Sequence, residues 1–303
     1  MGFAAGRAAC TRMNGLLLVN KPGGLTSHDV VSRVRKITHE QSVGHLGTLD
    51  PMATGVLPLL LGRFTRLAQF FRGDDKAYSG VIRFGVATDT YDAMGVPVGD
   101  ACQPALTLDA IRSAACCFQG EIEQMPPPFS AKKIAGTPAY KLARQGKPVE
   151  LRAARITVAR LEIAEYAAPD ATFAIEISSG GYIRSIAHDL GQRLGCGAHL
   201  ASLCRTRAGC FALEDTLTLE QIAALAEQGS LQGAMPHPRA LLPEIPNVTV
   251  DARTAANLRN GMSCNLPDFS GSSHVKIFTG PDELFAIGRR IAGTLIQPCA
   301  VLG

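Results

Sequence analysis

The stretch most informative about the fold is Gly44-His45-Leu46-Gly47-Thr48-Leu49-Asp50-Pro51-Met52-Ala53-Thr54-Gly55-Val56-Leu57, where glycines, a proline, a histidine and an aspartate interrupt an apolar neighbourhood. Glycine permits positive φ and close backbone approach, and a residue before proline is biased toward extended geometry. We therefore expect a rigid loop that presents the carboxylate of Asp50. Such a group can act as a nucleophile or a base if a neighbour keeps it ionised. The alternative is an ordinary turn aspartate, which is common.

Strand and helix patterns alternate irregularly on both sides of this loop. Before it, residues 13–19 form an apolar run that ends in the turn Asn20-Lys21-Pro22-Gly23-Gly24, and Ser27 can cap a helix. After it, strand patterns occur at 81–84, 156–163 and 173–177, and helical patterns at 107–118 and 182–194. Strands interspersed with helices, without strict alternation, predict an α+β fold with a mixed, mostly antiparallel sheet.

Composition divides the chain into three parts. Of its 303 residues, 46% are apolar and 18% are charged, which suits a folded globule with a sizeable core. Residues 1–12 form a tail of small residues, and residues 13–245 form the main body. The segment 236–246 holds four prolines and is expected to be a stiff linker. Residues 246–303 are then long enough for a small β-rich module.

Several functional classes are excluded by what the sequence lacks. No apolar run reaches the ~20 residues of a membrane-spanning helix, and no signal peptide is expected. The nine cysteines form no CxxC pair, which indicates free thiols in a reducing, cytoplasmic compartment. Scattered histidines and the lack of Walker or GxGxxG motifs predict neither a metal site nor a cofactor. The net charge of +4 permits a nucleic-acid partner without requiring one.

Three further features each have a structural and a functional interpretation. Arg184 follows a glycine-rich turn, where it can pair with a carboxylate, hold a phosphate or remain a solvated charge. Tyr78 precedes a strand, where an edge or core aromatic is commoner than a base-stacking platform. Between residues 129 and 160, eight Lys or Arg accompany a single acid, Glu150. That block is either a phosphate-contact surface or a solvated basic face.

Six segments, in chain order, resemble the motifs of the TruB family, the bacterial tRNA pseudouridine-55 synthases. The resemblance covers about residues 13–215 and depends on the order of the motifs as well as on their composition. The segments are 15–27 with its Lys-Pro pair, 44–57, Asp75-Lys76-Ala77-Tyr78, 124–144, Gly181-Tyr182-Ile183-Arg184-Ser185 and 197–205.

The resemblance implies an isomerase that converts uridine 55 in the tRNA T-loop to pseudouridine without a cofactor. The target base must be flipped out of the RNA into a pocket. In that pocket Asp50 is the essential carboxylate, which attacks the sugar, attacks the base or removes the C2′ proton. Arg184 pairs with Asp50 and keeps it ionised. Tyr78 stacks on the uracil and can move a proton at C5.

The resemblance also assigns substrate contacts to residues around this centre. His45 fills the space that the flipped base leaves, Tyr182 and Leu203 line the pocket, and Lys21 and Arg66 bind the substrate. The basic block and a C-terminal PUA-like module hold the backbone of the tRNA T-arm. We expect the protein to act as a monomer.

Two departures from the family pattern and two other functions stay open. Position 66 is Arg where the family often has Lys, and Cys204 stands where many members carry Arg or another polar residue. A synthase for a different RNA is disfavoured by the Lys-Pro opening and by the segment 124–144. A non-catalytic RNA-binding or RNA-folding module is disfavoured because it has no use for the carboxylate of Asp50.

Overall fold

The computed structural model describes residues 13–71, 73, 75–129, 133–134, 137–138 and 152–303. The helices are α1 (Ser27–Thr38), α2 (Leu108–Ala115), α3 (Ile183–Arg193), α4 (Leu219–Glu227) and α5 (Ala252–Arg259). The strands are β1 (Gly15–Lys21), β2 (Val43–His45), β3 (Thr54–Leu61), β4 (Lys76–Phe84), β5 (Ala87–Thr88), β6 (Pro97–Val98), β7 (Gly120–Gln124), β8 (Lys133–Ile134), β9 (Thr137–Pro138), β10 (Ala154–Ala167), β11 (Asp170–Ile177), β12 (Ala198–Ala208), β13 (Phe211–Ala212), β14 (Asn247–Thr249), β15 (Cys264–Asn265), β16 (His274–Thr279), β17 (Glu283–Ala292) and β18 (Leu295–Val301). Over the described part of the chain, every helix is too short or too polar to traverse a lipid bilayer.

The central sheet contains nine of the described strands. Their order is β1-β3-β12-β4-β11-β10-β7, with β2 paired to β3 and β13 paired to β12. Every pairing in this sheet is antiparallel except that of β3 with β12, which is parallel. The predicted α+β fold with a mixed, mostly antiparallel sheet is therefore confirmed. The strand expected over 156–163 extends over Ala154–Ala167, because the polar residues at its ends still pair with neighbouring strands.

Helix α1 is capped by Thr26 and not, as the sequence analysis predicts, by Ser27. The Thr26 hydroxyl accepts a hydrogen bond of 3.0 Å from the backbone N–H of Asp29, whose carboxylate accepts one of 2.9 Å from the Thr26 N–H. Ser27 is buried, and its hydroxyl exchanges hydrogen bonds of 2.8 and 3.2 Å with the backbone of Leu49. The side chain of Ser27 therefore ties helix α1 to the loop that carries Asp50.

The main core lies between the central sheet and helices α1 to α4. The apolar positions of α1 at helical spacing, Val30, Val31 and Val34, are buried in it, as the pattern predicts. Thr107 caps α2 as expected, with its hydroxyl accepting a hydrogen bond of 3.2 Å from the N–H of Ala110. Beyond Ala115 the α-helix tightens into a 3₁₀ turn over residues 116–118.

A second sheet of five strands, in the order β14-β16-β17-β18-β15, forms the C-terminal region. It matches the small β-rich, PUA-like module expected there. A cluster of buried side chains joins it to the central sheet by combining Leu16 and Leu18 of β1 with Phe278 of β16 and Ile287 of β17. Leu242, from the proline-rich segment, is buried in the same cluster. That segment packs into the protein rather than spacing two free units, and the domain boundary at residue 246 stays a prediction.

Deleting residues 247–303 is expected to destabilise the remaining protein as well as to weaken any contact with RNA. The deletion uncovers Leu16, Leu18 and Leu60, and burying one such side chain contributes about 1.5–3 kcal/mol. The truncated chain should melt earlier than the full chain or aggregate, as measured by thermal unfolding and light scattering. A soluble truncated protein with an unchanged melting temperature would contradict the shared core.

A pair of substitutions tests the same core without removing a segment. Phe278 is 0% exposed and Phe269 is 86% exposed, so the two phenylalanines differ in burial within one module. Phe278→Ala should lower the free energy of unfolding by about 3–5 kcal/mol, whereas Phe269→Ala should change it by less than about 0.5 kcal/mol. Urea unfolding of both variants gives the comparison, and equal effects would count against the shared core.

Candidate active site

The loop that carries Asp50 is held from one side by Lys21, whose side chain is fully buried. The Lys21 ammonium donates to the carbonyl oxygens of Pro22 at 3.0 Å, Pro51 at 3.1 Å and Ala53 at 2.6 Å. Burial lowers the pKa of Lys21 to about 8, against the opposite influence of the Asp50 charge. The structure places Lys21 beneath the loop, where it holds backbone, and the substrate contact predicted for it stays a prediction.

From the other side the loop is held by Arg205 of β12, which is 1% exposed. Its Nε donates to the carbonyl of Val56 at 2.7 Å, and its Nη2 donates to the carbonyl of Gly47 at 3.1 Å. The parallel pairing of β3 and β12 brings Gly55 so close that a Cβ there would lie 2.3 Å from the Arg205 carbonyl oxygen. Gly55 also has a φ of +99°, so glycine is required on both counts. Arg205 lies in the predicted motif 197–205, where no role is assigned to it from the sequence, and its strand, β12, is not predicted either.

Arg184, in the first turn of α3, reaches across to Asp50. Its Nη2 donates to Oδ1 of Asp50 at 3.0 Å, and its Nε lies 2.9 Å from Oδ2. The side chain of Arg184 is 7% exposed, whereas that of Asp50 is 32% exposed. The guanidinium of Arg184 therefore lies on the buried side of the site, and the carboxylate of Asp50 lies on its solvent-accessible side. The pairing that the resemblance implies is present in the structure.

Further acceptors surround the same guanidinium. The carbonyl of Thr90 accepts from Nη1 at 3.1 Å, and the carbonyl of Phe129 accepts from Nη2 at 3.1 Å. A second carboxylate oxygen, Oδ2 of Asp92, lies 3.6 Å from Nη1. Arg184 is thereby fixed by several groups at once, which suits its planar set of donors.

Asp92 is a site residue that the sequence analysis does not identify. It is buried, and its Oδ1 accepts hydrogen bonds from the Thr90 hydroxyl at 2.7 Å and from the Met94 N–H at 3.0 Å. Its signal is the polar run Asp89-Thr90-Tyr91-Asp92 between two strands, which is equally typical of a plain turn. Only the packing of this turn against α3 distinguishes a residue of the site from a residue of an ordinary solvated turn.

The ionisation of Asp50 is subject to opposing influences. Burial raises its pKa above the ordinary value, the Arg184 guanidinium lowers it, and the nearby charge of Asp92 raises it. The net direction is upward. The direct contacts with Arg184 oppose this rise and favour the ionised carboxylate.

The acid limb of the pH–rate profile should respond to Asp92. If Asp50 must be ionised, activity falls as the pH drops through its raised pKa. Asp92→Asn removes the like charge, so the pKa of Asp50 should fall and the acid limb should move to lower pH by a few tenths of a unit to about one unit. The profile of kcat/KM, which reports the free enzyme, is the measurement. An acid limb that stays in place or moves upward would contradict this electrostatic assignment.

Two models of one family match consecutive parts of the chain. The TruB family pseudouridylate synthase N-terminal domain matches residues 35–183, and the tRNA pseudouridylate synthase B C-terminal domain matches residues 184–242. The tRNA pseudouridine synthase B of Solibacter usitatus (strain Ellin6076) is 44% identical over 96% of this chain and 100% of its own length. The chain belongs to the TruB family.

A second relative of this TruB-family chain and a solved structure support the family and the fold, respectively. The tRNA pseudouridine synthase B of Symbiobacterium thermophilum is 43% identical over 84% of this chain and 84% of its own length. A solved structure described as an H/ACA RNP bound to a substrate RNA containing 2′-deoxyuridine matches with a TM-score of 0.69 and 26% identity. That match covers 95% of this chain and 85% of the other. The family, the fold class and the enzyme class of pseudouridine synthase predicted from the sequence are confirmed.

Tyr78 and Leu203, predicted pocket residues of this TruB-family chain, lie on neighbouring strands. The register of β4 with β12 pairs Tyr78 with Arg205 and Leu203 with Gly80. Both side chains are buried. Burial raises the pKa of the Tyr78 hydroxyl, against the charge of Arg205 and its hydrogen bond to Tyr78. The hydroxyl is therefore protonated at neutral pH.

His45 and Tyr182 are half-buried residues at the ends of elements. Burial lowers the pKa of His45, as does the charge of Arg205, and its Nδ1 has no hydrogen-bond partner among the described residues. Tyr182 precedes α3, where the Gln124 side chain bonds its backbone N–H at 2.8 Å and its carbonyl at 3.0 Å. This contact fixes the start of the helix that carries Arg184. The substrate contacts predicted for His45 and Tyr182 stay predictions.

The remaining predicted contacts lie away from Asp50 or outside the described residues. Arg66 is at the junction with the C-terminal sheet, where its Nη1 donates to the carbonyl of Val301 at 2.5 Å. Much of the basic block 129–160, including Lys132 and Lys141, falls outside the described residues. In the ranges that the structure covers, no group of three or more His, Cys, Asp or Glu side chains is arranged to bind a metal.

Proposed function

We propose that this TruB-family chain isomerises uridine 55 in the T-loop of tRNA to pseudouridine, with Asp50 as the essential carboxylate. The observation that supports this best is the buried Arg184 behind a carboxylate that is 32% exposed. A purely structural ion pair has no need of an open carboxylate on a loop held from both sides by Lys21 and Arg205. The names of the relatives, tRNA pseudouridine synthase B, support tRNA as the substrate.

The reaction is a rearrangement that balances without any added group. The C1′–N1 bond of uridine breaks, the base turns, and C5 joins C1′. The proton lost from C5 is matched by the proton gained at N1. Asp50 attacks the sugar, attacks the base or removes the C2′ proton, and each role requires its ionised form. Arg184 favours that form through its direct contacts with the carboxylate.

The flipped base would be held between the central sheet and the Asp50 loop. Uracil would stack on the ring of Tyr78, which lies beside the apolar side chain of Leu203 in the lining of the pocket. The protonated Tyr78 hydroxyl lies next to the Arg205 guanidinium and would take part in moving the proton at C5. His45, neutral because of its lowered pKa, would stack in the gap that the base leaves in the RNA.

The T-arm backbone would be held by polar side chains outside this pocket. Arg66 lies between the central sheet and the C-terminal sheet. Arg63 and His39 line the same cleft. Each of these side chains presents donors suited to phosphate oxygens. Their contribution to binding should weaken as the salt concentration rises.

Pseudouridine mapping tests the proposal directly. The purified full chain is incubated with an unmodified tRNA transcript, and pseudouridine is located by carbodiimide labelling and primer extension. A transcript with cytidine at position 55 is the matched control. We expect one modified position, uridine 55, in the first transcript and none in the second.

The other outcomes separate the competing functions. Modification of a ribosomal RNA fragment but not of tRNA would indicate a synthase for another RNA. Tight binding of tRNA without any pseudouridine would indicate a non-catalytic RNA-binding module. Either result would overturn the proposal.

A further inference from the structure

Three consecutive residues in the turn after β5 contact one face of α3. The carbonyl of Thr90 and the carboxylate of Asp92 approach Nη1 of Arg184 at 3.1 and 3.6 Å. Between them, the ring of Tyr91 stacks on the imidazole of His188, with ring centroids 3.7 Å apart and planes inclined by 12°. Arg184 and His188 are four residues apart, so they lie on the same face of the helix. One face of α3 thus holds all three residues of the turn.

The backbone at Tyr91 is strained. Its φ is +66°, in the left-handed region that a bulky side chain rarely adopts and that persists only where the surroundings impose it. The strained residue lies between the two groups that approach one guanidinium, the carbonyl of Thr90 and the carboxylate of Asp92. The strain is therefore linked to the way in which Arg184 is held.

The two stacked rings are neutral, so the contact is one of ring faces and not of charges. Burial lowers the pKa of His188, and its Nδ1 has no hydrogen-bond partner among the described residues. Burial also raises the pKa of the Tyr91 hydroxyl. The half-buried imidazole, whose Nδ1 lacks a polar partner among the described residues, contributes its ring surface to this site. Aromatic stacking at this distance is favourable and fixes the relative position of the two elements.

We propose that the stack of Tyr91 on His188 positions Arg184 behind Asp50 by locking residues 90–92 in their strained turn. Both are positioning residues, because the groups they fix are those that contact Arg184. This inference rests on the proposed function of the same site. A loosened turn misplaces the guanidinium while the surfaces that bind tRNA stay intact. The loss should therefore fall on the chemical step.

Four single variants distinguish an effect of the stacked rings from an effect of the backbone conformation at residue 91. Tyr91→Asn removes the ring but keeps a residue that tolerates positive φ, and Tyr91→Phe keeps the ring without the hydroxyl. His188→Ala removes the second ring, and His188→Phe restores an aromatic face. We expect Tyr91→Asn and His188→Ala to lower the saturating single-turnover rate on tRNA roughly ten-fold, with the dissociation constant unchanged. Both phenylalanine variants should stay within about two-fold of the wild type.

The double variant Tyr91→Asn/His188→Ala completes the test. It should be as slow as either single variant, because all three lack the same contact. Three results would each overturn the inference. The rate losses of the two single variants could multiply in the double variant, or Tyr91→Asn could react as fast as Tyr91→Phe. The rate loss of the slow variants could also equal their unfolded fraction in thermal unfolding. A wild-type chain that forms no pseudouridine in tRNA would instead refute the proposed function. An active wild type with unimpaired Tyr91→Asn and His188→Ala refutes the stack alone.

Discussion

Asp50→Asn is expected to lower pseudouridine formation in tRNA by at least about 10³-fold while leaving tRNA affinity within about two-fold of the wild type. The amide has nearly the same shape as the carboxylate but cannot attack carbon or take up a proton at neutral pH. Its oxygen can still accept the hydrogen bond of Arg184, and Asp92 continues to compensate the buried charge. The fold should therefore survive, so that the loss is chemical. Single-turnover rates and filter binding on the same preparation give both quantities.

Asp100→Asn is the matched control, because Asp100 is exposed and its replacement by asparagine removes the same single negative charge. It should leave the rate and the affinity unchanged. Turnover by Asp50→Asn close to that of this control would refute the assignment of Asp50. A parallel fall in rate and affinity would mean that Asp50 serves the binding of RNA and not the reaction.

Arg184→Lys is expected to lower the single-turnover rate by about 10²-fold or more. Lysine keeps the positive charge but has one donor atom, whereas Arg184 contacts Asp50, Asp92 and two backbone carbonyls with three nitrogens. An ammonium cannot meet all these groups, so the carboxylate of Asp50 loses its fixed orientation. A solvated helix charge, the other interpretation left open by the sequence, would tolerate the change.

Arg83 offers a control with similar geometry in a different environment. Its Nε and Nη2 bond the two oxygens of Asp170 at 2.7 Å each, and its side chain is 48% exposed. Exposed pairs contribute little to stability, so Arg83→Lys should change the rate by less than about two-fold. Comparable rates for Arg83→Lys and Arg184→Lys would show that the second arginine has no special part in the reaction.

The elements that the sequence predicts in this protein are those encoded by nearby residues. The helical spacing of Val30, Val31 and Val34 and the cap at Thr107 both reappear in the structure. The cap assigned to Ser27 is wrong because its hydroxyl bonds Leu49, which is 22 positions away. A local pattern carries no information about such a partner.

The same limit applies to the site. The likeness of the motifs brings Asp50 and Arg184 together correctly, but the position of Arg205 depends on a contact with Gly47 across 158 positions. Asp92 lies in a polar turn whose composition is shared by many solvated turns, and it becomes part of the site only through tertiary packing. Lys21 is a motif lysine whose three carbonyl partners become visible only in the folded chain, and its predicted substrate contact stays a prediction.

The shared core of β1 and the C-terminal sheet also bears on how the chain folds during synthesis. Leu17 and Val19 of β1 face the main core, whereas Leu16 and Leu18 face side chains near the end of the chain, including Leu302. At ribosomal rates, residue 302 is made roughly 15–60 seconds after residue 16. During that interval one face of β1 lacks the part of its apolar cover that the C-terminal sheet supplies, and this part is available to chaperones or to self-association. Residues of the C-terminal sheet, synthesised well after β1, thus complete the environment of that strand.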